Sequence, residues 1–228
     1  MTLLEKIKSR GYWQTVIRPG RFVEKRIKDI STLFPIIQKT SVELRGWDFP
    51  HIDTHIRPKV DVDWVGQESE WEQFLEMWRF YQSGQFVDFA GIPEDWREQS
   101  TWLHEDPNWK TGEFLGIGDV LFRFTEIFEF AARLSLTEAG DEIMFIEITV
   151  SGLAGRKLSL DLNNRSPMFR RYEASLQQLP FTIELNRDEL VARSRELAIK
   201  PAIELFARFG WTANEDALRD IQKELRKA

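Results

Sequence analysis

The chain has no cysteine among its 228 residues and only three histidines, His51, His55 and His104. The first absence excludes disulfides, thiolate nucleophiles, cysteine-held iron–sulfur clusters and every zinc finger or ribbon with sulfur ligands. The second confines imidazole chemistry to three positions. No apolar run approaches the roughly 18 residues of a membrane span. Met1 to Arg10 alternates Leu3, Leu4 and Ile7 with Glu5, Lys6 and Lys8 instead of forming a signal-peptide core. The expectation is a cytoplasmic protein with no membrane contact. Also missing are a phosphate-loop motif, an H-E-x-x-H zinc motif, a G-x-S-x-G nucleophile elbow and a calcium loop of EF-hand spacing. Gly116-Ile117-Gly118 has Leu121 where a dinucleotide loop needs its third glycine, so it reads as a loop entering a helix.

What is present is a globular composition, with 42% hydrophobic and 30% charged residues. At this length one domain over residues 1–228 can bury its own core. Charge is uneven. Residues 1–45 carry 10 Lys and Arg against 4 Asp and Glu, whereas residues 46–119 carry 5 against 16 and also hold seven of the nine tryptophans. The simplest reading is that the two segments neutralise each other in the fold. The competing one is a nucleic-acid surface, with Arg18, Arg21, Lys25, Arg26 and Lys28 on phosphates and Trp13 and Phe22 on bases. The net charge of −6 weakens the latter.

Local signals predict an α+β fold: a mostly antiparallel sheet built from hairpins, packed by helices, with a helical C-terminus. Thr2 caps a helix from Leu3 to Arg10, and Tyr12 to Arg18 is a strand stopped by Pro19-Gly20. Asp29 opens a helix to Lys39, with Pro35 kinking it or marking its first turn. Val42 to Arg45 reads as a short strand, followed by an irregular stretch from Gly46 to Gly66. Trp71 to Ile92 forms a hairpin around Gln82-Ser83-Gly84-Gln85, with apolar residues on both faces of its arms. Glu94 to Glu113 reads as a long loop. Asp119 caps a central helix ending near Ala139, with Gly140 as a left-handed stop and Arg123, Glu126, Glu129 and Arg133 as a single wet stripe. Glu142–Val150 and Arg156–Leu162 read as a second hairpin, and Phe181–Leu185 as a further strand. Asn186 opens a helix to Phe209, kinked at Pro201, and Asn214 caps the last helix.

The densest chemistry lies in Leu44 to His55. Arg45 offers a planar fork for a carboxylate or phosphate, Trp47 a stacking face, and Asp48 an acceptor beside them. His51 and Asp53 complete the candidate ligand-binding set of Arg45, Trp47, Asp48, His51 and Asp53. The competing reading pairs Arg45 with Asp48 and buries Trp47 and Phe49. If Pro50 to Ile56 is extended, His51, Asp53 and His55 share one face and could bind a divalent metal completed by Asp61, Asp63 or His104. A strand with that trio in solvent is the simpler alternative. In the loop Arg165 to Arg171, Met168, Phe169, Arg170 and Arg171 have the composition of a partner-binding hot spot.

The function expected from these features is a non-enzymatic binding or accessory subunit of a bacterial-type cytosolic assembly. It would engage a protein or small ligand through the Trp-rich acidic middle and the Arg45–Asp53 loop. No cofactor and no catalytic residue is expected, and a protein partner or homo-oligomer is. The alternatives are a metal-dependent hydrolase using His51, Asp53 and His55, and a nucleic-acid-binding module using the basic N-terminal stretch.

Overall fold

The computed structural model describes residues 1–97, 110–160 and 170–224. Thr2 caps helix α1 (Leu3–Lys8) through a capping box with Glu5, and strand β1 (Tyr12–Pro19) follows. Asp29 caps a 3-10 turn over Ile30–Thr32, which leads into α2 (Leu33–Thr40), so Pro35 sits in the first turn of the α-helix. A two-residue ribbon of β2 (Val42–Glu43) and β3 (Asp48–Phe49) comes next. Then β4 (Lys59–Val60), β5 (Trp64–Trp71), β6 (Phe74–Tyr81) and β7 (Phe86–Gly91) form a meander. After β8 (Phe114–Gly116) come α3 (Ile117–Ser135), β9 (Ile143–Ser151), β10 (Lys157–Ser159), β11 (Gln178–Asn186), α4 (Arg187–Arg208) and α5 (Glu215–Glu224).

Seven strands make one antiparallel sheet in the order β11-β9-β1-β7-β6-β5-β4, packed by helices: an α+β fold. Because side chains alternate across a strand, the register aligns residues in rungs on one face. One rung runs Gln67, Trp78, Asp88, Thr15, Ile148, Phe181, and the next runs Ser69, Glu76, Ala90, Trp13, Val150, Leu179. Helix α3 crosses this face, with Phe124 packed edge-on to Trp13 and Phe181 at 5.2 and 5.4 Å between ring centroids. Helix α2 covers the β5–β6 end, where Phe34 stacks on Trp78. On the opposite face α1 inserts Ile7 against Leu75, Met77 and Phe89. Both faces of β6 are therefore covered, in keeping with its apolar residues on both sides.

Several sequence expectations need correction. Residues 64–71, of which the irregular stretch takes only the first three and the expected hairpin arm only Trp71, form strand β5; the β5–β6 turn passes through Glu72 at φ 50° without a glycine. Helix α3 starts at Ile117 with Gly116 as N-cap, and ends at Ser135, short of Ala139. Gly140 is kept by close approach rather than by a left-handed turn: an added Cβ would lie 1.9 Å from the Ser135 carbonyl oxygen. Strand β10 pairs in parallel with β8 and makes no hairpin with β9. Helix α4 bends at Arg193, whose φ/ψ is non-helical, and not at Pro201. The stripe on α3 is wet at Arg133 alone, since Arg123, Glu126 and Glu129 are buried. Trp13 is also core, so it offers no ring to a nucleic-acid base, while Arg18 pairs with Glu147 and Arg21 and Arg26 with Asp141. Among the described residues no helix is long and apolar enough to cross a membrane.

Candidate ligand-binding cleft

Burying the α3 stripe requires partners, because an unpaired charge away from water is prohibitively costly. The sheet, the α2–β4 loop and α4 supply them. Arg123 Nη2 donates to Asp88 Oδ2 at 2.6 Å, and Nη1 lies 3.8 Å from Glu76 Oε2. The same guanidinium sits 4.3 Å above the Phe49 ring. Arg195 of α4 pairs with Glu129, and Arg133 donates to the Ser41 carbonyl.

Two acids facing one cation leave a carboxyl in excess. Burial lifts Glu76 above the usual carboxylate range, outweighing the Arg123 charge and the His51 N–H that favour its ionised form. Burial lifts Asp88 well above that range, opposed by Arg123 and reinforced by the neighbouring Glu76. Asp88 Oδ1 has no donor among the described residues. A proton shared within the pair would supply one, and the two acids titrate as a unit.

The loop between α2 and β4 is tied to this cluster at both ends. Arg45 forks onto Glu126, with Nε to Oε1 at 2.8 Å and Nη2 to Oε2 at 3.1 Å, and its Nη1 donates to Asp119 Oδ1 at 2.5 Å. This replaces the expected Arg45–Asp48 pair. Asp48 instead meets His51 Nδ1 at 2.6 Å and accepts the Ile52 N–H at 3.0 Å. The His51 N–H donates to Glu76 Oε1 at 2.9 Å, and Trp78 Nε1 donates to the His51 carbonyl at 2.8 Å. Burial pulls the His51 imidazole down, but the hydrogen bond and charge of Asp48, with Glu76 and Asp53 behind it, leave its pKa raised.

Trp47 lies in a stack of near-parallel rings, 3.8 Å from His51, 4.6 Å from Phe74 and 5.8 Å from Trp71 between centroids. Trp71, 6.3 Å from Phe74 as well, flanks both rings and is 56% exposed. Beside it opens a cleft of about 400 Å³, walled by Trp47, Trp71 and Phe74 and closed below by Trp13, Ala90 and Leu115. That size falls within the usual range for small-molecule sites. Glu76, Glu94, Arg45, Arg97, Asp119 and Arg123 supply its polar groups.

Of the residues singled out from sequence, Arg45 and Trp47 line the cleft. Asp48 and His51 support Trp47 from behind, and Asp53 does not join them. Pro50 to Ile56 is not extended: Asp53 Oδ1 accepts the His55 N–H at 2.7 Å in a turn that leaves His55 exposed. The one-face arrangement of His51, Asp53 and His55 is thereby lost. Among the described residues no three His, Asp or Glu side chains converge as a metal site, and His104 lies outside them. Met168 and Phe169 also lie outside the described residues, while Arg170 and Arg171 are exposed. Sequence reasoning missed Trp71, Phe74, Glu76, Asp88, Arg97 and Arg123 as site residues. A detectable signal existed for Glu76, the one acid in β6, set between Leu75 and Met77 in a strand with apolar residues on both faces.

Comparison of the chain with protein-family models, curated proteins and solved structures finds no match.

Proposed function

We propose that the chain is a non-enzymatic binding protein or accessory subunit of the cytoplasm that holds a small planar ligand in the cleft beside the Arg45–Asp53 loop. The observation that carries this reading is the ring stack. His51, Trp47 and Phe74 lie face to face, and the near-parallel Trp71, beside both Trp47 and Phe74, is exposed at an open cavity. A planar ligand continues such a stack and removes an exposed indole face from water. The stack is held in place by the Arg45 fork and by Asp48 on His51, so little ordering cost is left for the ligand.

Titration with planar heteroaromatic compounds, followed by tryptophan emission and thermal shift, tests it. Binding that is lost in Trp71→Ala is the expected result. Absence of binding across neutral, acidic and basic compounds overturns the reading.

One observation favours a second reading: a buried acid of raised pKa, Glu76, stands on the cleft wall, which is how a general acid is kept protonated near neutral pH. Turnover of a bound compound that is abolished in Glu76→Gln would place catalysis ahead of simple binding. As an accessory subunit the chain would also meet a protein partner or a second copy of itself, with the exposed Arg170 and Arg171 as candidate contacts. Co-purification and light scattering test that arm.

A further inference from the structure

Resting on the cleft reading, we propose that the ligand is an aromatic or heteroaromatic carboxylate, its ring packed on the cluster of Trp47, Phe74 and Trp71 and its anionic group seated on Arg97 and Arg123.

Three guanidinium groups line the cleft, and they are not equivalent. Arg45 is committed to Glu126 and Asp119 through all three of its nitrogens. It positions the loop. Arg123 is only 8% exposed and is bonded at one end: Nη2 meets Asp88, while Nε has no hydrogen-bond partner and Nη1 has only the distant Glu76 oxygen. The Arg97 guanidinium makes no ion pair and no hydrogen bond among the described residues, and its Nε is buried without a partner.

A buried donor left unmatched is costly, and a carboxylate is the group whose two oxygens fit a planar guanidinium edge. Surplus donors therefore lie beside the ring stack in one cavity, which asks for acceptor oxygens on a flat molecule. A ligand cation would find the acids of the same lining already engaged, Asp119 by Arg45, Glu76 by the His51 N–H and Glu94 by the Gly116 N–H. Lysine in place of either arginine would keep the charge but lose the planar fork, which separates recognition of a carboxylate from general attraction to negative charge.

The test is calorimetric titration of the full chain with three probes of one shape: naphthalene-2-carboxylate, naphthalene-2-carboxamide and 2-naphthylmethylamine. The carboxylate is expected to bind about ten-fold more tightly than the carboxamide, with the amine weakest. Arg97→Gln, at a half-buried residue with no partner to orphan, should bring carboxylate binding down to the level of the carboxamide. Arg123→Lys, which preserves a cation for Asp88, should do the same in part. Carboxamide or amine binding equal to the carboxylate, or a preference that survives Arg97→Gln, overturns the inference and leaves the cleft reading standing. If none of the three probes binds, both fall.

Discussion

Arg123 on α3 and Asp88 on β7 meet through a 2.6 Å hydrogen bond at the centre of the packed face, with Asp88 completely sealed from water. The helix is thereby pinned to the sheet by a buried Arg–Asp pair, in a layer that also holds the polar side chains of Thr15, Gln67 and Ser69. Because Glu76 adds a second carboxyl to the same cation, the pair makes stability depend on pH.

Glu76→Gln should show that dependence. Both acids are held above their ordinary range, so between about pH 4 and the raised values the native state binds more protons than the unfolded one. Their contribution to stability is complete below that window and declines as pH rises through it. The glutamine keeps an acceptor for the His51 N–H and offers Asp88 Oδ1 a donor at every pH. Melting curves at pH 4.5 and 7 should show the variant gaining on the parent toward neutral pH, whereas a constant gap refutes the shared proton.

Arg45→Ala leaves Glu126, 2% exposed at its side chain, without its cation. The expected loss is about 2–3 kcal/mol in urea denaturation, below a fully buried pair because Arg45 is partly solvated. Probe binding in the cleft should weaken as well, since the strut that sets Trp47 is gone.

Gly66→Ala tests the register of β5 against β6. An added Cβ would lie 2.3 Å from the Trp78 carbonyl oxygen, a backbone atom that cannot swing aside. Destabilisation of about 1–3 kcal/mol is expected from overpacking. An unchanged melting point would mean that this strand pair does not have the described register.

Asp48→Asn should lower the midpoint at which His51 titrates, read by NMR of its imidazole. Asp48 is what raises that pKa against burial, and asparagine can still accept the Ile52 N–H. Because the raised imidazole adds stability below its unfolded pKa of about 6.5 and loses it as pH climbs through the folded value, the variant should be weakest relative to the parent in mild acid.

Much of the fold was legible because its signals are local. Thr2, Asp29, Asn186 and Asn214 each cap the turn they precede, and the Gln82–Gln85 turn joins the two strands it was expected to join. Strand β5 escaped notice because its inward face carries Gln67 and Ser69. The buried Gln67 is satisfied by backbone groups of Asp53 and Ile56, which lie outside the local pattern of the strand. The same cause hid the site. Arg123, Glu126 and Glu129 read as a solvated stripe because their counter-charges Asp88, Arg45 and Arg195 come from distant elements. Arg45 and Trp47 were legible as chemistry, but what they contact was set by tertiary pairing rather than by neighbours in the chain.

The 3.8 Å contact of the Trp47 indole with the His51 imidazole gives the molecule its own optical gauge. Gain of a proton on that imidazole places a positive charge against the indole, so light emitted by Trp47 reports the state of the loop without any attached dye. A difference spectrum against Trp47→Phe isolates that glow from the other indoles, and its midpoint should move with Asp48→Asn.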